Sequence, residues 1–119
     1  GDLVSSYFVP ERGDVVWINM DPQAGHEQAG RRPALVVSPK SYNSKVGLAL
    51  LCPITSRRKG YTFEVTIPDG FPAQGLILSD QIRNVDWQAR NASFMARLPP
   101  HVLRDTLAKL ETLIGIETK

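Results

Sequence analysis

"GDVVWINMDPQAGHEQAGRRPALVVSP", residues 13–39, sets the terms of the fold. Residues 13–20 are dense in β-branched and aromatic side chains, the composition of a strand. Asp21-Pro22 then opens a loop, 21–33, that Gly25 and Gly30 break and that carries Asp21, His26, Glu27, Arg31 and Arg32. "ALVVSP" (34–39) reads as a short buried strand. The two glycines serve loop geometry. So much charge on one glycine-bounded loop beside a strand suits either a solvated surface or a site that handles phosphate.

The pattern extends outward from there. "KSYNSKVG" (40–47) reads as a turn or one short helical turn, and "LALLCPI" (48–54) as a strand with Pro53 marking an edge or bulge near its end. "TSRRKG" (55–60) is a second charged loop. "YTFEVTI" (61–67) alternates, with Tyr61, Phe63, Val65 and Ile67 on one face, as a half-buried strand does. "PDGFPAQG" (68–75) is a turn-rich connection, "LILSDQIRNVDW" (76–87) a long bent strand and "SFMARL" (93–98) a last short one. Pro99 and Pro100 fit a helix start. Leu103, Leu107, Leu110 and Ile114 then form one stripe of an amphipathic helix, and Gly115 fits its stop. Short strands followed by one helix predict a mainly β fold, a small, strongly bent antiparallel sheet or barrel capped by a C-terminal helix.

Composition narrows the class. The chain has 119 residues, 42% hydrophobic and 22% charged, which suits one core. Residues 1–12 read as a flexible lead-in and 13–119 as a single domain. Cys52 is the sole cysteine, so no intrachain disulfide forms and a reducing, cytoplasmic setting is the simplest expectation. No apolar run approaches the roughly 20 residues that span a bilayer, and no signal peptide is expected. The net charge of +2 is mild, but "GRRP" (30–33) and "SRRKG" (56–60) concentrate positive charge on loops, where a polyanion could dock.

The chemistry is then a matter of which groups can meet. No residues have the spacing of a zinc site, and no phosphate-binding glycine motif is present, so neither a metal nor a cofactor is expected. Cys52 ends an apolar strand and reads as a small hydrophobe, and Trp17 as core. Trp87 could sit at an interface or stack a base, and His101 at the helix start reads as structural. What remains is His26, Glu27, Arg31, Arg32 and the "TSRRKG" loop. Arginine grips phosphate through paired hydrogen bonds, a carboxylate can take a proton, and Thr55 and Ser56 can donate to a phosphoryl oxygen. Those are the parts needed to cleave RNA without a metal, because the substrate's own 2′-OH is the nucleophile.

Four motifs in this order resemble the MazF/PemK/Kid family of toxin endoribonucleases: Gly-Asp-x-x-Trp at 13–17, Glu-Gln-Ala-Gly-x-Arg-Pro at 27–33, Pro-x-Thr-Ser at 53–56 and Ser-Asp-Gln at 79–81. The resemblance runs from about Gly13 to Gly115. It implies an SH3-like barrel, a homodimer, and sequence-specific, metal-independent cleavage of single-stranded RNA to a 2′,3′-cyclic phosphate and a 5′-hydroxyl. That cleavage implies arrest of translation and growth in a bacterial cytoplasm, and the resemblance also implies a cognate antitoxin with an acidic, extended tail that blocks the site. Residue by residue, it implies Glu27, Arg32 and Thr55 as catalytic. Glu27 is the candidate base for the 2′-OH, Arg32 balances charge on the phosphate and Thr55 hydrogen-bonds it. His26, Gln28, Arg31, Ser56, Arg57, Arg58, Lys59, Asp80 and Gln81 are candidate RNA-binding residues. In one branch of the family an Arg precedes the Asp by two residues, whereas Leu78 stands in that place here. Two other readings use the same fold: a CcdB-like poison of DNA gyrase, and a non-catalytic RNA-binding barrel.

Overall fold

The structure, a computed structural model, describes residues 8–20, 30–57 and 60–115. Seven strands form one antiparallel assembly: β1 (Asp14–Asn19), β2 (Arg31–Val36), β3 (Ala49–Thr55), β4 (Glu64–Thr66), β5 (Leu76–Leu78), β6 (Arg83–Val85) and β7 (Ser93–Arg97). Helices α1 (Lys40–Val46) and α2 (Pro100–Ile114) complete it. The order is β4-β5-β3-β2-β1-β7, with β6 paired to β3, so the path ends at β4 and β7 instead of closing on itself. The mainly β architecture with its C-terminal helix is the one the sequence predicts. Among the described residues no helix is long and apolar enough to cross a membrane.

β3 is the hub, because it pairs with β2 along one edge and with β6 and then β5 along the other. Pro53 therefore lies in a central strand, not at an edge. Its missing N–H is tolerated for a local reason. The Leu50 N–H donates to Ser38 Oγ at 2.9 Å, toward the β2 side. Alternation sends the Cys52 amide the same way and position 53 the other way. There β6 has ended at Leu51 and β5 does not begin until Ile54, so no ladder bond is lost.

The sheet is buried on both faces. Val15, Leu35, Val37, Cys52 and Ile54 share one face with Val102 and Leu110 of α2. Val16, Ile18, Ala34, Val36 and Leu51 share the other with Val85 and Trp87. This explains why β1 and β2 read as continuous apolar runs. Trp17 departs from the expected core position and is 41% exposed. It shares a face with Val15 but lies two residues further on, outside the cluster that α2 covers. Trp87 is buried instead, and its Nε1–H donates to the Asn43 carbonyl at 3.0 Å.

Asn43 organises the second face. It is fully buried on α1, donates from Nδ2 to the Pro10 and Ser38 carbonyls, and accepts from Ser38 Oγ. α1 is thus the helical one of the two forms the sequence allows, a turn or one short helical turn, and runs to seven residues because tertiary bonds support it. Pro10 is fully buried and Arg12 Nε donates to the Val37 carbonyl at 2.7 Å, so residues 8–12 lie against the sheet. The expected strands at 61–67 and 76–87 are shorter than their patterns. Only Glu64–Thr66 pairs in the first. The second breaks at a 3-10 turn, Ser79–Gln81, where Ser79 binds the Phe63 carbonyl through both its N–H and its hydroxyl. On α2 the row Val102, Thr106 and Leu110 is buried, while Ile114 is 74% exposed and does not continue the expected stripe into the core.

Candidate active site

The register of β2 against β3 builds the site. Ala34 faces Pro53 across the pair. Side chains alternate along a strand, so two residues further on Arg32 and Thr55 fall opposite each other on that same face. Both line a cleft of about 590 Å³ at the strand ends. Ser56, Arg57, Gln74, Gln81 and Arg83 line it too, and Met20, Pro33, Pro53 and Ile54 form its apolar part. Hydroxyls and guanidiniums thus surround a volume within the range of small-ligand sites.

Local structure aims these groups. Thr55 Oγ1 accepts the Arg57 backbone N–H at 3.1 Å, which fixes the hydroxyl and leaves its own hydrogen to donate. Gly75 lies against the same strand. A Cβ at position 75 would fall 2.3 Å from the Thr55 carbonyl oxygen, and the residue has φ +118°. Only glycine combines that conformation with that approach. Arg83, on β6, directs Nη1 toward the Met20 carbonyl at 3.5 Å. Three guanidiniums, from Arg32, Arg57 and Arg83, come from three separate places in the chain. Such convergence raises the potential for an anion well above what the mild net charge suggests.

The sequence-predicted residues divide accordingly. Arg32, Thr55, Ser56, Arg57 and Gln81 are brought together in the cleft. Arg31 is not: its guanidinium donates to the Asn91 carbonyl and Ser93 Oγ, each at 3.0 Å, and to the Trp17 carbonyl at 3.3 Å. Asp80 is exposed on the 3-10 turn and accepts the Tyr61 hydroxyl at 3.0 Å, whereas Leu78 is buried. Glu27, His26, Gln28, Arg58 and Lys59 lie outside the described residues. Among the described residues no group of three or more His, Cys, Asp or Glu could hold a metal ion. Cys52 is buried, and burial, with the Asp80 carboxylate nearby, pushes its thiol up to about 12. It stays protonated at neutral pH and is no nucleophile.

Four participants escape the sequence reading: Met20, Gln74, Gly75 and Arg83. Arg83 follows Gln81 by one intervening residue and had a local signal, a cation beside a motif. Gln74 and Gly75 had none, since their proximity to Thr55 is long-range.

Fold and cleft together define a class: a small bent-sheet protein with a cationic, hydroxyl-bearing cleft at its strand ends. Residues 11–114 match the family model of PemK-like, MazF-like toxins of type II toxin-antitoxin systems. The endoribonuclease toxin MazF of Escherichia coli K12 is 44% identical over 110 residues, covering 92% of this chain and 98% of the relative. The E. coli endoribonuclease PemK is 34% identical, covering 87% of this chain and 81% of that protein. A crystal structure of MazF from Deinococcus radiodurans superposes with a TM-score of 0.84 at 50% identity, over 92% of this chain and all of that one. A MazE–MazF complex from the same organism has a MazF-type match with a TM-score of 0.83 at 43% identity, over 93% of this chain and 100% of that one. This chain belongs to the PemK-like, MazF-like toxin family, an enzyme family whose named relatives are endoribonucleases. The gyrase-directed alternative finds no support in these relatives.

Proposed function

We propose that this chain cleaves single-stranded RNA at specific sequences, without a metal, as the toxin of a toxin-antitoxin pair. The observation that carries the reading is that Arg32 and Thr55 line one cleft together with Arg57 and Arg83. The substrate's 2′-oxygen bonds to phosphorus as the P–O5′ bond breaks. Glu27 accepts the 2′-OH proton, and a proton is delivered to the departing 5′-oxygen. The products are a 2′,3′-cyclic phosphate and a 5′-hydroxyl. Arg32 stabilises the charge that builds on the equatorial oxygens, and Thr55 donates to one of them. Because the nucleophile belongs to the substrate, the protein need only position, neutralise and accept a proton. His26, Gln28, Ser56, Arg58, Lys59 and Gln81 hold flanking nucleotides. Arg31 and Asp80 support the cleft from outside it, through the bonds described above. A homodimer and an antitoxin with an acidic extended tail complete the reading, the tail competing with RNA for the same guanidiniums.

The test is direct. The protein is incubated with a long single-stranded RNA in EDTA, beside Arg32→Ala and Glu27→Ala, and the cut ends are mapped. Discrete cuts ending in cyclic phosphate, reduced about 10²–10³-fold in Arg32→Ala, are expected. Absence of cuts from the folded parent on several RNAs overturns the reading.

A further inference from the structure

Phosphate contacts are the same for every nucleotide, so an arginine engaged with a phosphate reads no sequence. Discrimination needs hydrogen-bonding groups within reach of a base edge, and uncharged ones are not drawn to the phosphates. Among the described residues lining the cleft, these are Thr55, Ser56, Gln74 and Gln81. The Thr55 oxygen already accepts the Arg57 N–H, and Ser56 follows it at the phosphate-handling strand end. The two glutamines come from separate segments, the 68–75 connection and the 3-10 turn after β5.

We infer that Gln74 is a specificity-determining residue of this site, reading a base that presents an N–H donor. The inference rests on the RNA-cleaving reading above. Two observations carry it. The first is orientation. The Gln74 Nε2 group donates to the Phe71 carbonyl, and because a carbonyl can only accept, this bond sets the nitrogen end of the amide toward Phe71. Oε1 is therefore the atom left to face outward, and it can only accept. It selects a base edge carrying an amino or imino hydrogen and rejects one that offers a carbonyl or ring nitrogen at that point. The second is position. Gly75, the next residue, abuts the Thr55 carbonyl and itself accepts the Ile67 N–H at 3.0 Å. Gln74 is thus held at a fixed offset from the residue that contacts the scissile phosphate, which lets an amide in a surface connection read one nucleotide in register. Met20, Pro33 and Pro53 supply apolar lining in the same cleft against which a base face can rest.

The experiment cleaves a randomised single-stranded RNA pool with the parent protein and with Gln74→Ala and Gln74→Glu, and sequences the cut ends. Gln74→Glu keeps an acceptor but loses the Nε2–H bond to Phe71 that orients it, whereas Gln74→Ala has neither. The expected result is a base preference that weakens at one position in Gln74→Ala. The ratio of cleavage at preferred over disfavoured bases there falls about tenfold, as for one lost hydrogen bond, while preferences at other positions persist. Gln74→Glu, which cannot donate to the Phe71 carbonyl, is expected to lose the preference at that position as Gln74→Ala does. A variant that merely loosened the fold would cut less at every sequence and leave the preference unchanged. An unchanged preference in Gln74→Ala, or a uniform loss, overturns the inference while cutting by the parent keeps the RNA-cleaving reading intact. If the parent cuts no RNA, both fall together.

Discussion

Arg31 commits its guanidinium to two backbone carbonyls and Ser93 Oγ, while Arg32, one residue on, lines the cleft and donates from Nη1 to the Arg31 carbonyl at 3.4 Å. The same division runs through the molecule. Arg12 closes onto the Val37 carbonyl at 2.7 Å, Arg90 onto the Asn19 and Met20 carbonyls at 3.1 and 3.0 Å, and Arg97 onto Asp14 Oδ1 at 2.6 Å. Those four tie segments far apart in sequence to one another. Arg32, Arg57 and Arg83 line a cleft, and the carbonyl contacts of Arg32 and Arg83, at 3.4 and 3.5 Å, are longer than the shortest bond each bracing arginine makes. Identical chemistry thus serves two ends. Which end it serves is set by strand alternation and by what lies across the sheet, not by the residue's immediate neighbours.

The sharpest way to break this comparison is to truncate the adjacent pair separately. Arg31→Ala loses three bonds near the surface and is expected to lower stability by about 1 kcal/mol. Its effect on kcat/KM should be at least about tenfold smaller than that of Arg32→Ala, which removes charge stabilisation worth about 10²-fold or more. Denaturant melts beside single-turnover cleavage read the two axes independently. If Arg31→Ala costs as much cutting as Arg32→Ala, the division into bracing and cleft arginines is wrong.

Gly75 offers the next largest effect. Gly75→Ala puts a Cβ against the Thr55 carbonyl at a positive φ and should destabilise by about 3 kcal/mol. Gly70→Ala is its control, because Gly70 has φ +98° but nothing within 4 Å of the added carbon. That change should cost about 1 kcal/mol. The difference between the two melting curves isolates the close approach that seats the cleft. Equal costs would mean that backbone conformation alone, not contact with Thr55, holds this wall.

Salt dependence gives the smallest and most specific signal. Binding of a single strand weakens with salt with a slope of about −0.7 per neutralised phosphate. Arg57→Ala should make that slope shallower by about 0.7, measured on a 2′-deoxy strand that cannot react. An unchanged slope would remove Arg57 from the phosphate-facing set.

Much of this fold lies open in the chain. The apolar runs at 13–20, 34–39 and 48–54 appear as β1, β2 and β3, and the amphipathic end as α2. Burial on the scale of a strand or a helix face imprints a period on composition, and that period survives without coordinates. The family motifs likewise carry Arg32 and Thr55 in the sequence, since each sits within a short conserved-looking string, Glu-Gln-Ala-Gly-x-Arg-Pro or Pro-x-Thr-Ser. What fails is whatever depends on a distant partner. The 61–67 alternation holds for Val65 and Ile67, which are buried, yet only three residues pair, because β5 is itself only three residues long. Trp17 and Trp87 exchange their expected burial, since α2 covers one end of the sheet and the Asn43 carbonyl waits at another. α1 forms because buried Asn43 is held from Pro10 and Ser38, partners no helical pattern displays.

The sequence by itself determined the fold class and the family, and its motifs singled out Arg32 and Thr55 as candidates. Only the tertiary structure decided which of two adjacent arginines reaches the cleft, that Arg83 joins it from β6, and that a glycine must touch Thr55 from twenty residues away. Motif and period are properties of neighbours along the chain. Register, close approach and convergent charge are properties of pairs that loop closure brings together, and no window of sequence contains them.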